Sequence, residues 1–389
     1  MKIALPLLAI LFCTHSQAQT NTYPAWYART TGKLPALAYG LGEDRLGGAK
    51  MGYIDSNVLL QVIDTARGMY KVKLSAQHTA YIEKPYLRAD TATRMKAAYT
   101  TGSFSAKGDS LYDYVGISME EKLPYKTWME INPSRIVVDV YGVQSNTNWI
   151  TQLSSLKEVK NLYYNQVEDD VLRVTIELQH RQHWGYSISY INKSLVLKIN
   201  RQPEKLDLRN LHIAIDAGHG GTNTGASGTV TKASEKVLTL QFAKALEHYL
   251  QKRGVKNITM TRNYDTSFDN KDRILWLQQL RPHILISLHL NSSGNAQVKG
   301  TSTYYKHIGF RPLTTAILRK MLDLKLNEFG NVGSFNFALN SPTEFPNSLV
   351  EIAFLSNAED EARIVNPKFH NDVAKKIYLG ITEWLKSVR

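Results

Sequence analysis

Leu211-His-Ile-Ala-Ile-Asp-Ala-Gly-His-Gly-Gly221 is the stretch whose reading decides the fold. Leu211 to Asp216 is a short apolar run rich in branched residues, the pattern of a buried strand. Gly218, Gly220 and Gly221 then surround His219. Glycines at a strand end permit a tight turn and let other groups approach the backbone closely. His219 is therefore expected at the carboxyl end of a strand, where open α/β sheets bind their ligands. A histidine that merely sits in a turn would look the same, so residues further along must decide.

Three positions do so. Glu235 opens an amphipathic run in which Val237, Leu238, Leu240, Phe242, Ala245, Leu246 and Leu250 recur at helical spacing, with Ser234 as a candidate N-cap. His289 closes a second apolar strand, His283 to Leu290. Glu351 lies within a third, Ser348 to Leu355. Runs of this kind suit parallel strands buried on both faces. A carboxylate there needs a partner, because an isolated buried charge is costly. Two histidines and two glutamates at the rim of one sheet suffice for a metal site. Three can ligate Zn²⁺ and the fourth can serve a water.

At this point the residues resemble a family, the zinc-dependent N-acetylmuramoyl-L-alanine amidases. The matching segments are Ile215-Asp-Ala-Gly-His-Gly-Gly, Glu235-Lys-Val, Thr261-Arg, Ser287-Leu-His-Leu-Asn and Leu349-Val-Glu-Ile-Ala-Phe-Leu-Ser-Asn, in the family's order. Leu290 and Ala353 stand where the family usually has alanine and glycine. The resemblance implies one Zn²⁺ held by His219, Glu235 and His289, with Glu351 as the catalytic carboxylate. It also implies peptidoglycan as substrate, cut at the amide between N-acetylmuramic acid and L-alanine of the stem peptide. Two alternatives remain: a wall-binding or activator protein that keeps the fold without the chemistry, and a zinc carboxypeptidase that trims stem peptides. There is no His-Glu-x-x-His segment and no Gly-x-Ser-x-Gly elbow.

The 389 residues suggest several domains, and the excess of 13 basic over acidic residues is spread rather than blocked. That pattern fits a protein meeting an anionic surface and argues against a nucleic-acid tail. Residues 1–18 read as a secretory signal: Lys2, an apolar core from Ile3 to Cys13, then Ser16-Gln17-Ala18 before the cut. Cys13 is the only cysteine, and Phe12 before it is too bulky for the usual lipid-attachment pattern. The mature chain is thus expected in the periplasm or cell envelope, without disulfides, cysteine-bound zinc or a transmembrane segment.

The expected architecture is multidomain. Two β-rich domains precede a C-terminal α/β domain (residues 208–389) whose mostly parallel sheet is covered by helices. Residues 29–90 resemble a bacterial SH3-like small barrel, with Arg67-Gly68 as a hairpin turn. Ala89 to Thr101 reads as a linker. Residues 102–202 resemble an AMIN β-sandwich through Ser134-Arg-Ile-Val-Val-Asp-Val and Leu195-Val-Leu-Lys-Ile. That resemblance implies partners in the wall or the division machinery. Within the last domain, helices are expected at 235–253, 271–280, 313–329 and 367–387, with a β segment around Ser334 to Leu339.

The remaining polar residues divide into candidates and bystanders. Asp216 either orients a metal ligand or caps the loop. Asn291 either contacts substrate or fixes the loop. Arg262 and Arg273 read as structural ion-pair partners. His212 and His283 lie at strand starts, and His307 and His370 read as surface residues. Glu177, His180 and His183 are spaced by three, but on a strand they scatter over both faces, which favours a solvated strand end over a metal cluster. The interval of 62 positions from His289 to Glu351 is filled by needed elements, with no room for a further helix that would plug the site.

Overall fold

A computed structural model describes residues 23–42, 47–93, 96 and 98–389. The expected signal segment, with Cys13, lies outside the described residues, as does part of the expected linker.

From residue 213 on, strands and helices alternate. They are β1 (Ile213–Ala217), α1 (Glu235–Lys252), β2 (Ile258–Met260), α2 (Asn270–Leu280), β3 (Ile284–Asn291), β4 (Thr301–Tyr304), α3 (Arg311–Leu322), β5 (Glu328–Val332), β6 (Asn347–Phe354), α4 (Ala358–Ile364) and α5 (Pro367–Ser387). The sheet order is β2-β1-β3-β6-β4-β5, and every neighbouring pair is parallel except β6 with β4. Both faces are apolar because both are covered. Ile213, Ile215, Ile286 and Leu288 pack on Phe242, Ile317 and Ile377 of α1, α3 and α5. On the other face, Ala214 and Leu285 meet Ile274 and Leu277 of α2.

Several element ends differ from the sequence reading. Ser234 is extended, as an N-cap should be, but its side chain makes no capping bond. Asp269, Asn357 and Asn366 do cap α2, α4 and α5 through their side chains. α3 ends at Leu322 and does not reach Phe329. The chain turns through left-handed Lys325, and Glu328–Val332 becomes an edge strand. Leu326 is still buried, from the turn, which is why a helical spacing persists past the helix end. The segment expected around Ser334 to Leu339 is not a strand; it ends in a single 3₁₀ turn at Ala338–Asn340.

The N-terminal half is all β. A seven-stranded antiparallel sheet runs from Trp26 to Ala89, and Arg67 and Gly68 both take positive φ at its hairpin turn. Residues 99–200 form two further sheets, one of four strands and one of six. The first strand of this group begins at Tyr99, inside the expected linker. One continuous hydrophobic core serves both groups and takes in Phe310 of the C-terminal domain.

All three groups meet at a seam. Tyr186 and Thr343 exchange hydrogen bonds of 2.8 Å each, and Asn200 donates to the Glu344 carbonyl. Trp184 and Trp384 lie with ring centroids 5.2 Å apart. The Lys50 amide donates to Asn336. The Glu344 carboxyl accepts from Gln278 in a recessed position, and burial pushes it up to about 7. A carboxyl raised on folding costs stability as pH rises from its ordinary value through the folded one. We therefore expect Glu344→Gln, which keeps the acceptor, to lose less stability than the parent between pH 5 and pH 8. Urea unfolding at the two pH values checks this; parallel losses would contradict it.

Candidate metal centre

The turn after β1 is strained by design. His219, Gly220 and Gly221 all have positive φ (64°, 134° and 57°). Such backbone is unusual for histidine and must be held by its surroundings. Gly220 and Asn223 exchange backbone hydrogen bonds of 2.9 and 3.1 Å. His219 Nδ1 lies 2.8 Å from Asn223 Oδ1, which fixes the ring and frees Nε2. Gly218 is needed for a different reason, close approach: a Cβ there would fall 2.4 Å from the His289 ring.

Glu235 stands in the first turn of α1 and His289 near the end of β3. Glu235 Oε1 lies 3.0 Å from His219 Nε2 and 3.1 Å from His289 Nδ1. The three donor atoms all lie within 4.8 Å of one another. Ligands about 2.0–2.1 Å from a tetrahedral ion are separated by roughly 3.3 Å. Two imidazoles and a carboxylate at these distances fit Zn²⁺. The carboxylate is itself held, since Ala226 and Leu290 donate backbone N–H groups to its two oxygens at 2.8 and 3.0 Å. No side chain fits at Gly225 either, where a Cβ would lie 2.5 Å from Glu235. The His219 and His289 side chains keep 21% and 18% of their surface exposed, so the cluster is open to solvent.

Charge is balanced within the cluster. Burial alone would raise the Glu235 carboxyl, but hydrogen bonds and charge from His219 and His289 outweigh it and hold the group well below the carboxylate range. Burial lowers His289, yet the Glu235 hydrogen bond and the Glu235, Glu351 and Asp216 charges leave it raised.

Asp216 settles between its two readings in a third way. It is fully buried, and burial would raise it, but the Arg273 and His289 charges and its hydrogen bonds keep it ionised below the usual value. It accepts from Thr261, Ser287 and Arg273 at 2.8, 2.6 and 2.9 Å. Arg273 also donates to the His219 and Phe268 carbonyls. Asp216 thus reaches the turn through Arg273. Arg262 is structural and, among the described residues, forms no ion pair: its guanidinium donates to the carbonyls of Ala217, Gly218 and Lys236.

Glu351 is buried and pairs in register with His289 across β6 and β3, which puts both side chains on one face of the sheet. Asn291 fixes the strand end, its carbonyl accepting from Leu355 and its side chain from Ser292. His212 and His283 lie together at the far end of the sheet, with the His212 amide donating to His283 Nδ1.

Two surface assignments are overturned. His370 is 6% exposed, lies with its ring 4.2 Å from that of Phe242 and bonds the Ile364 carbonyl. His307 is half-buried against the Ser341 carbonyl, and burial lowers it to about 4. The Glu177, His180, His183 trio does scatter: Glu177 pairs with Arg135 and His180 with Glu158. His183, however, is buried rather than solvated, bonded to the Glu130 carbonyl and lowered to about 4.

One supporting residue escaped the sequence reading. Glu361 of α4 is fully buried and accepts from the backbone of Val230 and Thr231 and the hydroxyls of Thr229 and Thr231. It ties down the loop that leads from the glycine turn into α1. In a chain of acidic residues at a helix start, it looks like any exposed first-turn glutamate.

The fold and the donor cluster define an α/β domain with a candidate metal centre at the carboxyl ends of its parallel strands. Residues 213–383, the C-terminal α/β domain, match the N-acetylmuramoyl-L-alanine amidase family. The N-acetylmuramoyl-L-alanine amidase AmiC of Escherichia coli is 24% identical over 360 aligned positions, covering 70% of this chain and 86% of that protein. The probable cell wall amidase LytH of Staphylococcus saprophyticus is 29% identical over 189, covering 48% of this chain and 63% of that protein. The solved catalytic domain of CwlV, an amidase from Bacillus (Paenibacillus) polymyxa, is 32% identical with a TM-score of 0.43, covering 46% of this chain and 99% of that one.

Burial would raise Glu361, but the Thr229–Thr231 hydrogen bonds hold it down to about 2. Its contribution is therefore present above the ordinary carboxylate value and is lost as pH falls through about 2. We expect Glu361→Gln to cost about 2 kcal/mol at pH 7, the scale of disrupted buried hydrogen bonds to a charged acceptor. The gap should narrow toward pH 2. Chemical unfolding at both ends of that range checks it; a gap that widens in acid would contradict the assignment.

Proposed function

We propose that the chain is a peptidoglycan hydrolase that cuts the amide between N-acetylmuramic acid and L-alanine, with one Zn²⁺ held by His219, Glu235 and His289. The observation that carries this is the convergence of three donor atoms at strand ends, with Glu351 beside His289 in register. The family match and the amidase names of the relatives support it. When bound, Zn²⁺ polarises a carbonyl and lowers the pKa of water to about 7.

The protein's own groups do the rest. Glu351 takes the proton from the attacking water, water oxygen bonds to the carbonyl carbon, and the carbon–nitrogen bond breaks. The same carboxyl then returns its proton to the leaving nitrogen. Asn223 and the two backbone donors on Glu235 hold the donor atoms in place so that no reorganisation is needed as the substrate arrives.

Access supports basal activity. Between His289 and Glu351 the one α-helix is α3, whose Leu313, Ile317 and Met321 are committed to the core against α5. No other α-helix in that interval is available to cover the cluster. Among the described residues no helix is long and apolar enough to cross a membrane. An exported protein acting in the periplasm or envelope fits this substrate. The β-rich half, with its SH3-like and AMIN-like patterns, would place the enzyme on the wall.

Two variants test the division of labour. His289→Ala should lose zinc and activity together, since a missing ligand removes much of the binding energy. Glu351→Gln should stay folded, keep zinc and lose roughly 10²-fold or more in turnover, the scale of a lost general base. Elemental analysis and muropeptide hydrolysis give both readouts. Near-normal turnover in Glu351→Gln would move the base elsewhere. Separately, the purified full chain with zinc should cleave peptidoglycan unaided; silence until a partner is added would contradict an open site.

A further inference from the structure

A cavity of about 1130 Å³ lies where the three strand groups meet. Arg281, Pro282 and His283 line it, so it sits at the start of β3, while His289 stands near the other end. His289 lies six residue steps beyond His283, roughly 20 Å at about 3.3 Å per residue. No member of the donor cluster lines this cavity, nor does Glu351.

Its wall is basic. Eight lysines and arginines face four carboxylates. Four of the cations fall into two pairs, each drawn from different parts of the chain. Lys50 of the first sheet and Lys306, just after β4, form one. Burial and then the Lys50 charge lower the Lys306 ammonium to about 8. Lys50 is lowered as well, by burial first and then by Lys271. Lys198 and Arg281 form the other pair, with Lys198 3.6 Å above the Tyr112 ring and lowered by burial and then by Arg281. Among the described residues, no carboxylate forms an ion pair with any of these four.

Three of the four carboxylates of the cavity are engaged elsewhere or only partly charged; the fourth, Glu204, is exposed. Glu158 holds His180 at 2.7 Å, and Asp55 accepts from the Tyr190 amide at 2.6 Å. Glu344, raised to about 7, carries only part of its charge near neutrality. Glu83 acts on Lys50 and Asp109 on Lys198, but neither lines the cavity, and the surplus of cations on its wall favours an anionic guest. The rest of the wall includes Trp184, Ile188, Met51 and Leu111, surfaces suited to an aliphatic backbone rather than to a compact ion.

We propose that this junction cavity binds an acidic peptide, whose carboxylates meet Lys50, Lys306, Lys198 and Arg281. Compact phosphate would need cations that converge, whereas the eight here are spread around a cavity of about 1130 Å³. The origin of the peptide rests on the hydrolase reading: a stem peptide neighbouring the one being cut would be held about 20 Å from the donor cluster. Because its wall is built from all three groups, an occupied cavity would also clamp the seam.

The test is direct binding to the full chain, with hydrolysis scored separately. Tri-L-glutamate, inorganic phosphate and neutral N,N′-diacetylchitobiose are titrated by calorimetry, with tryptophan fluorescence as a second readout because Trp184 lines the cavity. None of the three carries the scissile amide. Tri-glutamate should bind saturably, at least tenfold tighter than phosphate or the sugar, and weaken with salt. The double change Lys50→Ala and Lys306→Ala should cost tenfold or more in affinity, while Lys50→Arg and Lys306→Arg should retain most of it. Lys198→Ala should weaken binding on its own, which keeps the test decisive if the double alanine variant unfolds. Hydrolysis of a small soluble muropeptide should change less than twofold. Absence of saturable binding, phosphate binding as tightly as the peptide, or affinity indifferent to these substitutions would each overturn the proposal and leave the hydrolase reading standing.

Discussion

The ion pair of Asp216 with Arg273 is the joint on which the site depends. Asp216 ends β1, and its carboxylate gathers β2 through Thr261, β3 through Ser287 and α2 through Arg273. Arg273 then reaches the His219 carbonyl and so grips the strained turn. A buried pair of this kind contributes little net stability against an apolar alternative, but breaking it strands a charge at a cost of about 3–5 kcal/mol. The pair is better understood as a device of placement. It ties these three elements together beside the turn that carries His219.

The second constraint is parallel register. His289 and Glu351 meet because β3 and β6 run the same way and pair residue for residue at that level. A slip of one residue would turn Glu351 to the opposite face, into the apolar layer beneath α3 and α5. Glycines complete the arrangement by absence: Gly218 and Gly225 leave the space that the His289 ring and the Glu235 carboxylate occupy.

What the sequence made legible follows the kind of signal involved. The apolar runs of β3 and β6 carried His289 and Glu351 as visible exceptions, while His219 stood in a glycine turn and Glu235 at the start of an amphipathic run, so all four could be singled out before any contact was known. α5 was legible end to end because its apolar spacing runs unbroken from a capping asparagine. His370 should have been read with it: it lies three residues before Val373, on the same buried stripe. α3 was overextended because Leu326 keeps the spacing after the helix has stopped. Glu361 carried no periodic exception at all, since its partners lie about 130 residues away in sequence. The seam between the β-rich half and the C-terminal domain was invisible for the same reason. Trp184, Thr343 and Glu344 gain their meaning only from each other.

The central claim is that the donor cluster and Glu351 cut one particular amide. The most direct measurement is mass spectrometry of purified peptidoglycan digested by the zinc-loaded full chain. The account predicts intact glycan strands whose muramic acid residues bear free lactyl carboxyl groups, and full-length stem peptides with a free L-alanine amine. Stem peptides shortened at their carboxyl ends, still attached to muramic acid, would contradict it.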